Sequence, residues 1–511
     1  TSNWQVATIG GSFMDSTWAG CSNLTEAEVP DTSSWSITAI GVSFMARTWY
    51  NCNKIATAVV PDTSTWSVVG SSGSFLAETW RGCSSLTTAV VPNTAGWAVT
   101  ALNDGFMYGT WWGCSNLLVA VVPNTSNWSI EVIGNNFMAN TWRACSKLST
   151  AVMIDTASWN VQTVGTGFLS YTWENCPSLV TAVVPDTTSW GVTAIGDNFL
   201  AHAWDGCINL ITPVAPATTT WSVDSIGASF LYAAWFNCRK ITTAVVPDTA
   251  NWPVVGVLGG YFLFDTWNGC SGLTTAAVPD TSNWSITAIN TSFLTRAWHN
   301  CSSLTTAAVP DTSTWPVNGS IGANFLHSTW ANCSSLTAAA VPNTSNWQVT
   351  ALGADAFMYY TWAACSKLTT AVVPDTSNWN IPNTGTNFMT ATWRACPKLS
   401  TAAMIDTASW DVQTVGAGFL NVAWENCPAL KDVSFFKLGD SFKSATGLYD
   451  SANNWSATFY LASDPGDTSG GQPTFVDNTP ITSHGTPPAA RQTFRNRTGM
   501  DGYDSLDSNW K

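Results

Sequence analysis

Residues 44–66 read FMARTWYNCNKIATAVVPDTSTW, and near-copies of this stretch fill most of the chain. Its cysteine belongs to a series of fourteen that follow one another at intervals of 31 or 32 residues, at positions 21, 52, 83, 114, 145, 176, 207, 238, 270, 301, 333, 365, 396 and 427. Every cysteine has Trp three residues before it and Phe eight residues before it. Self-similarity at a fixed period of roughly 20–50 residues is typical of stacked repeats, so the sequence predicts a solenoid.

One repeat has the consensus W-x-V-x-x-I-G-x-x-F-[LM]-x-x-[TA]-W-x-x-C-x-x-L-T-x-A-x-V-P-[DN]-T-x-x-W. Extra residues enter only between the second Trp of one repeat and the first Trp of the next, as between Trp252 and Trp267. The segment CSKLSTAVMIDTASWNVQTVG from Cys145 returns from Cys396 as CPKLSTAAMIDTASWDVQTVG. Insertions confined to one segment and a duplicated block are both typical of a chain of stacked units.

Composition and charge limit the function classes. The 511 residues are 45% hydrophobic and only 10% charged, whereas soluble domains have about 25% charged residues. No apolar run approaches the roughly 18 residues needed to cross a bilayer, which predicts a chain without a transmembrane segment. The net charge of −14 cannot neutralise phosphates, which argues against nucleic acid as a partner.

The apolar residues of one repeat are spaced by about three and four. Counted from the cysteine as position 0, they are Phe (−8), Leu or Met (−7), Trp (−3), Cys (0) and Leu (+3). This spacing predicts a short helix with these residues on its buried side. The runs L-T-T-A-V-V and W-S-V-T-x-I predict two short strands, and P-D-T-S predicts a turn. The expected fold is therefore about fourteen turns of 31–32 residues, each with short strands and a short helix.

Charged residues occupy variable positions beside the apolar stripe, which predicts a solvated face. They are Arg47, Glu78, Arg143, Glu174, Asp205, Arg296, Arg394 and Glu425. Because both signs are scattered among them, the sequence favours a structural role for this face over a specific binding role.

The run F-[LM]-x-x-T-W-x-x-C-S-x-L-T, with W-x-V-T downstream, resembles the BspA-like leucine-rich repeats of microbial surface proteins. The resemblance covers about residues 1–430, although Trp stands where that family usually has Phe before the cysteine and the period is longer. It implies a leucine-rich-repeat-like solenoid that is secreted or held at the cell surface and takes part in adhesion to a host or matrix.

The sequence predicts a solenoid over residues 1–430 and a C-terminal cap with an extended tail over residues 431–511, where the Trp and Cys spacing is lost. The chain begins at Thr1 in the middle of a repeat, which predicts an exposed strand edge at that end. A basic closed end and an acidic open end would favour head-to-tail association into filaments.

The cysteines leave two interpretations open. Each stands alone in its repeat on the apolar stripe, which favours a column of buried free thiols, while stacked neighbours could also form some disulfides between turns. No CxxC or Cys/His pairing suggests zinc. The two Trp columns are expected in the core, with the second column partly exposed as the alternative.

The Asp or Asn that follows the Pro of each repeat predicts a turn hydrogen bond, with a calcium site as the alternative. The positions are Asp31, Asp62, Asp155, Asp186, Asp248, Asp280, Asp311, Asp375 and Asp406, with Asn93, Asn124, Asn343 and Ala217 in the same column. Rows of Thr at T-T-A and P-D-T also leave ice binding open as a further alternative.

Catalysis is not expected. The four histidines, His202, His299, His327 and His484, occupy different positions of the repeat, and no unique pairing of nucleophile and base stands out. We therefore predict no enzyme and no catalytic, cofactor-binding or metal-binding residues. The expected function is an extracellular structural or adhesive surface protein, the subunit of a head-to-tail filament whose main partner is itself. The alternative is a monomeric cell-surface module that recognises a host or matrix protein or a glycan through one face of the solenoid.

Overall fold

A computed structural model describes residues 4–150, 152–430, 435–448, 453 and 474–478. The chain divides into two compact units, Thr1–Pro253 and Val254–Lys511. Each unit is built from parallel strands that recur once per repeat, so both have the predicted solenoid architecture.

The first unit contains eight short strands. They are β1 (Thr8–Ile9), β2 (Ala39–Ile40), β3 (Val69–Ser72), β4 (Ala98–Leu102), β5 (Val132–Ile133), β6 (Thr163–Val164), β7 (Ala194–Ile195) and β8 (Ser225–Ile226). Strands β1 and β2 pair with each other, and β3–β8 form a six-stranded parallel sheet in sequence order. The register is one repeat per step, as in the pairing of Val164 with Ile195 and of Ile195 with Ile226. These strands lie in the W-S-V-T-x-I segment, where the sequence predicts one.

The second unit repeats this arrangement with four strands and adds two more. Strands β9 (Val255–Leu258), β10 (Ser285–Ile289), β11 (Asn318–Ile321) and β12 (Gln348–Leu352) form a parallel sheet in sequence order. Strand β13 (Lys437–Leu438) pairs in parallel with β14 (Thr474–Phe475), and the 3₁₀ helix η1 spans Asp440–Lys443.

Two details of the predicted turn are wrong. The strands that recur once per repeat amount to about 11 turns rather than fourteen. In the described part of the next repeats the corresponding segment contributes isolated bridges, such as Asn383 with Thr414, instead of strands. The L-T-T-A-V-V segment likewise forms single bridges, such as Thr57 with Thr88, instead of a strand.

The predicted short helix is also absent, and η1 is the only helix in the part of the chain that the structure describes. In residues 44–52 the backbone alternates between right-handed and left-handed conformations. Met45 and Asn51, for example, have φ of 56° and 59°, in the left-handed region. A right-handed helix cannot continue through such residues. Some N–H groups donate to the carbonyl three residues earlier, whereas others reach the next turn, as Trp49 N–H does to the Thr79 carbonyl at 2.9 Å.

The residue directly before each cysteine explains why a helix is excluded. It has positive φ in every repeat, and it is Gly or Asn except at Ala144, Ala364 and Ala395. Gly and Asn are the residues that adopt left-handed conformations most easily. The apolar spacing fits either a helix or this alternating backbone, so the Gly and Asn column is the sequence signal that distinguishes them.

Replacing Ala144 by Gly should stabilise the protein by about 0.5–1 kcal/mol. Ala144 has a φ of 58°, which costs an L-residue roughly 1–2 kcal/mol, while the extra freedom of unfolded Gly offsets about 0.4–1 kcal/mol of the gain. Urea unfolding at equilibrium measures the change. Ala139→Gly is the matched control, because Ala139 is buried and has no positive φ, and it should lose about 0.5–1 kcal/mol. A loss of stability in both variants would contradict the backbone assignment.

Aromatic columns form the core of each unit. In the first unit, successive rings of the Trp at −3 lie 5.4–5.9 Å apart between centroids, nearly parallel. Successive Phe rings at −8 stack at 5.4–5.7 Å and meet the second Trp column edge-on, as Phe75 does with Trp97 at 5.7 Å. The second Trp column is buried from Trp35 onward, and Trp4 is 60% exposed. The core interpretation of both columns is therefore confirmed.

Hydroxyl and thiol groups tie successive turns together inside the core. Thr63 donates its hydroxyl to the Asn93 carbonyl at 2.7 Å, and Thr79 donates to the Met45 carbonyl at 2.8 Å. The thiol of Cys114 donates to the Trp80 carbonyl at 3.1 Å. All fourteen cysteines lie within the described residues and none of them forms a disulfide, and every one except Cys21 is buried. Side chains of one turn thus donate hydrogen bonds to backbone carbonyl groups of the neighbouring turn.

Described residues after the last cysteine pack on the final repeat. Phe442 of η1 lies 5.6 Å from Phe419 between ring centroids, and Gly439 N–H donates to the Thr407 hydroxyl at 2.8 Å. The Lys443 ammonium pairs with Asp477 beyond β14. Most of the predicted cap and tail over residues 431–511 lies outside the described residues, so that division stays a prediction.

Candidate binding surface

The variable residues of the repeat come together on one side of each unit. We call positions −6, −5 and −2 from each cysteine the variable stripe. All eight charged residues that the sequence places beside the apolar stripe belong to it. From the second repeat onward, the residues between them, at −4 and −3, are buried Thr or Ala and buried Trp. A constant core therefore supports a surface whose side chains differ from turn to turn.

Ion pairs connect neighbouring turns along the variable stripe of the first unit. Arg143 Nε lies 2.5 Å from Glu174 Oε2 in the next turn. His202 Nδ1 lies 2.9 Å from Asp205 Oδ2 in its own turn. Burial raises the pKa of Glu174, and the Arg143 guanidinium partly opposes that rise. The expected solvated face is thus half-buried and internally paired, because stacking at a spacing of one turn brings opposite charges into contact.

Arginine and aromatic side chains alternate at the centre of the same stripe. The Arg81 guanidinium lies 3.6 Å from the centroid of the Trp112 ring, and the Arg143 guanidinium lies 4.7 Å from it. Each arginine also covers a tyrosine, Tyr50 at 5.3 Å and Tyr171 at 5.0 Å. Cations within about 6 Å of an aromatic centroid are attracted to its ring face. Trp112 is therefore held between two cations while it stays partly exposed.

The variable stripe of the second unit has its own pairs. Arg296 Nη2 lies 2.6 Å from Asp265 Oδ2, and Arg394 pairs with Glu425. The His299 ring nitrogens lie 3.2 Å and 3.3 Å from the amide nitrogens of Asn300 and Asn332. The pKa of His299 is lowered, first by burial and then by Arg296, so this ring is neutral at pH 7.

His327 should make the protein less stable as the pH falls from about 6.5 to about 4. Burial, with further contributions from Arg296 and His299, lowers its folded pKa to about 4, against an opposing contribution from Asp355. Since the unfolded chain then binds the proton more readily, stability is retained above the unfolded pKa and lost below it. The full shift corresponds to about 3 kcal/mol. Urea unfolding at pH 7 and pH 4.5 measures this loss, and His327→Gln should show a clearly smaller one. An equal loss in both proteins would contradict the assignment.

The variable stripe brings together histidines that occupy different positions of the repeat in the sequence. His202, His299 and His327 occupy positions −5, −2 and −6 and so share this surface, while His484 lies outside the described residues. Position −2 lies three and four residues after −5 and −6, so these positions would share one face of a helix as well. The signal that could have found the stripe is that five of the six arginines in residues 1–430 stand at positions −5 and −2.

The Asp and Asn column forms turn hydrogen bonds. The Asp62 carboxylate accepts the backbone N–H of Ser64 at 3.0 Å, and the Asn124 side-chain oxygen accepts that of Ser126 at 3.1 Å. Hydrogen bonds from Ser64 lower the pKa of Asp62. Among the described residues, no group of three His, Cys, Asp or Glu side chains is placed to hold a metal ion. The turn interpretation therefore accounts for this column.

The T-T-A segment forms exposed rows of Thr. Thr57 and Thr88 are exposed and bridge through their backbones, as do Thr181 and Thr212. Val119 interrupts the row in the first unit. Ice binding by this uncharged surface stays an alternative of the sequence analysis.

Among known proteins, similarity to this chain was found in solved structures. No family model matches the chain, and no curated protein matches it. A leucine-rich repeat protein from Bacteroides ovatus is 16% identical, with a TM-score of 0.38 over 85% of this chain and 82% of that one. The Leptospira interrogans leucine-rich repeat protein LIC12759 is 8% identical, with a TM-score of 0.19 over 84% and 92%. The plant peptide hormone receptor RGFR1, solved with RGF2, is 11% identical, with a TM-score of 0.24 over 92% and 77%.

The Bacteroides and Leptospira proteins are described as leucine-rich repeat proteins. The BspA-like resemblance is not confirmed by them. Among the residues that the structure describes, none forms a helix with the length and apolarity of a membrane span.

Proposed function

We propose that this chain is a non-enzymatic binding module, secreted or held at the cell surface, that recognises a protein partner along its variable stripe. The alternation of Arg81, Trp112 and Arg143 is the observation that carries the proposal. Trp, Tyr and Arg are the residues that dominate protein interfaces energetically. In this chain Arg81, Trp112 and Arg143 lie together on a surface that the core does not need.

The paired charges favour protein recognition over a purely structural role. Arg143 and Arg394 are held by Glu174 and Glu425, so their side chains are already ordered before a partner arrives. Binding then costs less conformational entropy than it would with free side chains. Location outside the cell is supported by the BspA-like motif of the repeat.

A phage-displayed random peptide library tests the proposal. The library is selected on the full chain and then compared on the double variant Trp112→Ala/Phe264→Ala, which removes one large aromatic side chain from the stripe of each unit. Enriched peptides should bind the wild-type protein and lose at least about tenfold in affinity on the variant. Thr88→Ala, on the exposed Thr row, is the control and should bind unchanged. Peptides that bind all three proteins equally, or no enrichment at all, would refute the proposal.

The head-to-tail filament is the second candidate function, and its support comes from the first repeat of the chain. Among the described residues β1 pairs only with β2, and the neighbouring Trp4 and Cys21 are exposed. A second copy could cover this edge by strand pairing. Sedimentation velocity over a range of protein concentrations decides: a filament subunit forms species that grow with concentration, whereas a binding module stays monomeric.

A further inference from the structure

A groove opens in the variable stripe of the second unit where two successive turns carry Ala at position −2. It has a volume of about 340 Å³ and is lined by His299, Ala331, Asn332, Tyr360, Ala363 and Arg394, among others. The Ala331 and Ala363 side chains are buried and form its floor. His299 and Arg394, also at position −2, stand at its two ends. The groove is thus a gap between the larger side chains of His299 and Arg394 in the same column.

The first unit shows what fills the same column elsewhere. There, three successive residues at position −2 are Arg81, Trp112 and Arg143, with the Trp112 ring covered by both guanidinium groups. In the second unit the corresponding ring is missing, while Arg394 remains at one end of the gap. Its side chain is 42% exposed and is fixed by Glu425.

We infer that this groove binds a single aromatic side chain, an indole or a phenol, presented by the protein partner. The ring would lie over the floor made by Ala331 and Ala363 and against the Arg394 guanidinium, as Trp112 lies against Arg81. The cation attracts the negative face of the ring. The inference rests on the proposed function and specifies the chemistry that one part of the stripe recognises.

The size and polarity of the groove fit this occupant. Ligand pockets measure about 300–1,000 Å³, so this one is at the lower end and suits one side chain rather than a larger molecule. The neutral His299 ring and the Asn332 amide, whose nitrogens lie 3.3 Å apart, make one end of the groove polar. A buried indole N–H or phenol O–H usually has a polar group beside it. Two further charges lie beside the groove: Glu425, which Arg394 already holds, and Arg296, which helps to lower the pKa of His299.

Ligand-observed saturation-transfer NMR with N-acetyl-tryptophanamide and the full chain tests the inference. The expected result is transfer to the indole protons with a Kd near ~1 mM, the range of a single weak contact, and none to N-acetyl-leucinamide. Ala363→Trp should abolish the transfer because it fills the gap with the residue that the chain itself uses at position 112. Arg394→Met should weaken binding by about threefold or more.

Phe236→Trp is the matched control, since it places the same new residue at position −2 outside the groove, and it should leave the transfer intact. Transfer that persists in Ala363→Trp, or binding of N-acetylglucosamine in place of the indole, would overturn the inference. If library peptides depend on Trp112 and Phe264 but the indole probe does not bind, this inference fails and the proposed function stands. If the probe binds as expected and no peptide is enriched, the proposed function fails and the groove remains a site for a free aromatic compound.

Discussion

Trp111→Ala should destabilise the protein by about 3–5 kcal/mol, the cost of removing a large aromatic side chain from a packed core. Trp111 is fully buried and stacks between Trp80 at 5.9 Å and Trp142 at 5.8 Å. In a solenoid each turn is stabilised mainly by its neighbours, so a gap in the column weakens the contacts on both sides. Urea unfolding followed by circular dichroism measures the loss.

The adjacent residue supplies an unusually close control. Trp112→Ala removes the same side chain one position further on, where the ring is only half-buried and touches Arg81 and Arg143. Two cation–π contacts at an exposed site contribute about 1–2 kcal/mol together. We therefore expect Trp111→Ala to lose stability and Trp112→Ala to lose mainly peptide binding. Equal destabilisation by the two substitutions would show that the assignment of core and stripe is wrong.

One thiol should react quickly with Ellman's reagent in the folded protein, and the other thirteen should react about a thousandfold more slowly or less. Cys21 is exposed, whereas every other cysteine is buried. Burial raises the pKa of Cys83 and of Cys333 to about 12, which suppresses the reactive thiolate. A buried thiol must also wait for local opening, and an opening free energy of only ~4 kcal/mol already slows the reaction about a thousandfold.

Release of the thiolate chromophore at pH 8, first in buffer and then in concentrated urea without reductant, measures both populations. Unfolding should raise the count from one to fourteen, and Cys21→Ser should remove the fast reaction alone. Fewer than fourteen thiols in urea would mean that some turns are joined by disulfides, the interpretation that the sequence left open. Several fast-reacting thiols in the folded protein would mean that the cysteine column is accessible to the reagent and not buried by the neighbouring turns.

The spacing of Cys, Trp and Phe was sufficient to predict the solenoid, its period and its core. A side chain that recurs in every repeat at the same position stacks on its own copy, so the identity of the buried columns follows from the repetition alone. The Asp and Asn turns could also be predicted, because the side chain of each bonds a backbone group only two residues away, as in Asp62 and Ser64. These features depend on local sequence and on translation by one repeat.

The helix failed as a prediction because apolar spacing reports which residues face inward and not the hand of the backbone. Position −1 carried that information in its Gly and Asn residues, with Asn51 at a φ of 59° as one example. The sequence did predict the charged positions as one exposed face, because position −2 lies four and three residues after −6 and −5 and would share a helix face with them. It could not predict how far that face is buried or which of its side chains pair between turns.

The sequence by itself determined that this chain is a stack of near-identical turns with columns of Trp, Phe and Cys inside. Only the tertiary structure decided which of the variable residues meet. Arg143 and Glu174 are 31 residues apart in the chain and 2.5 Å apart in space, and the groove beside Arg394 exists because two Ala residues from successive turns are neighbours. Repetition determines which repeat positions stack on one another. It does not determine the direction in which each variable side chain leaves the backbone, and contacts between variable residues of different turns depend on that direction.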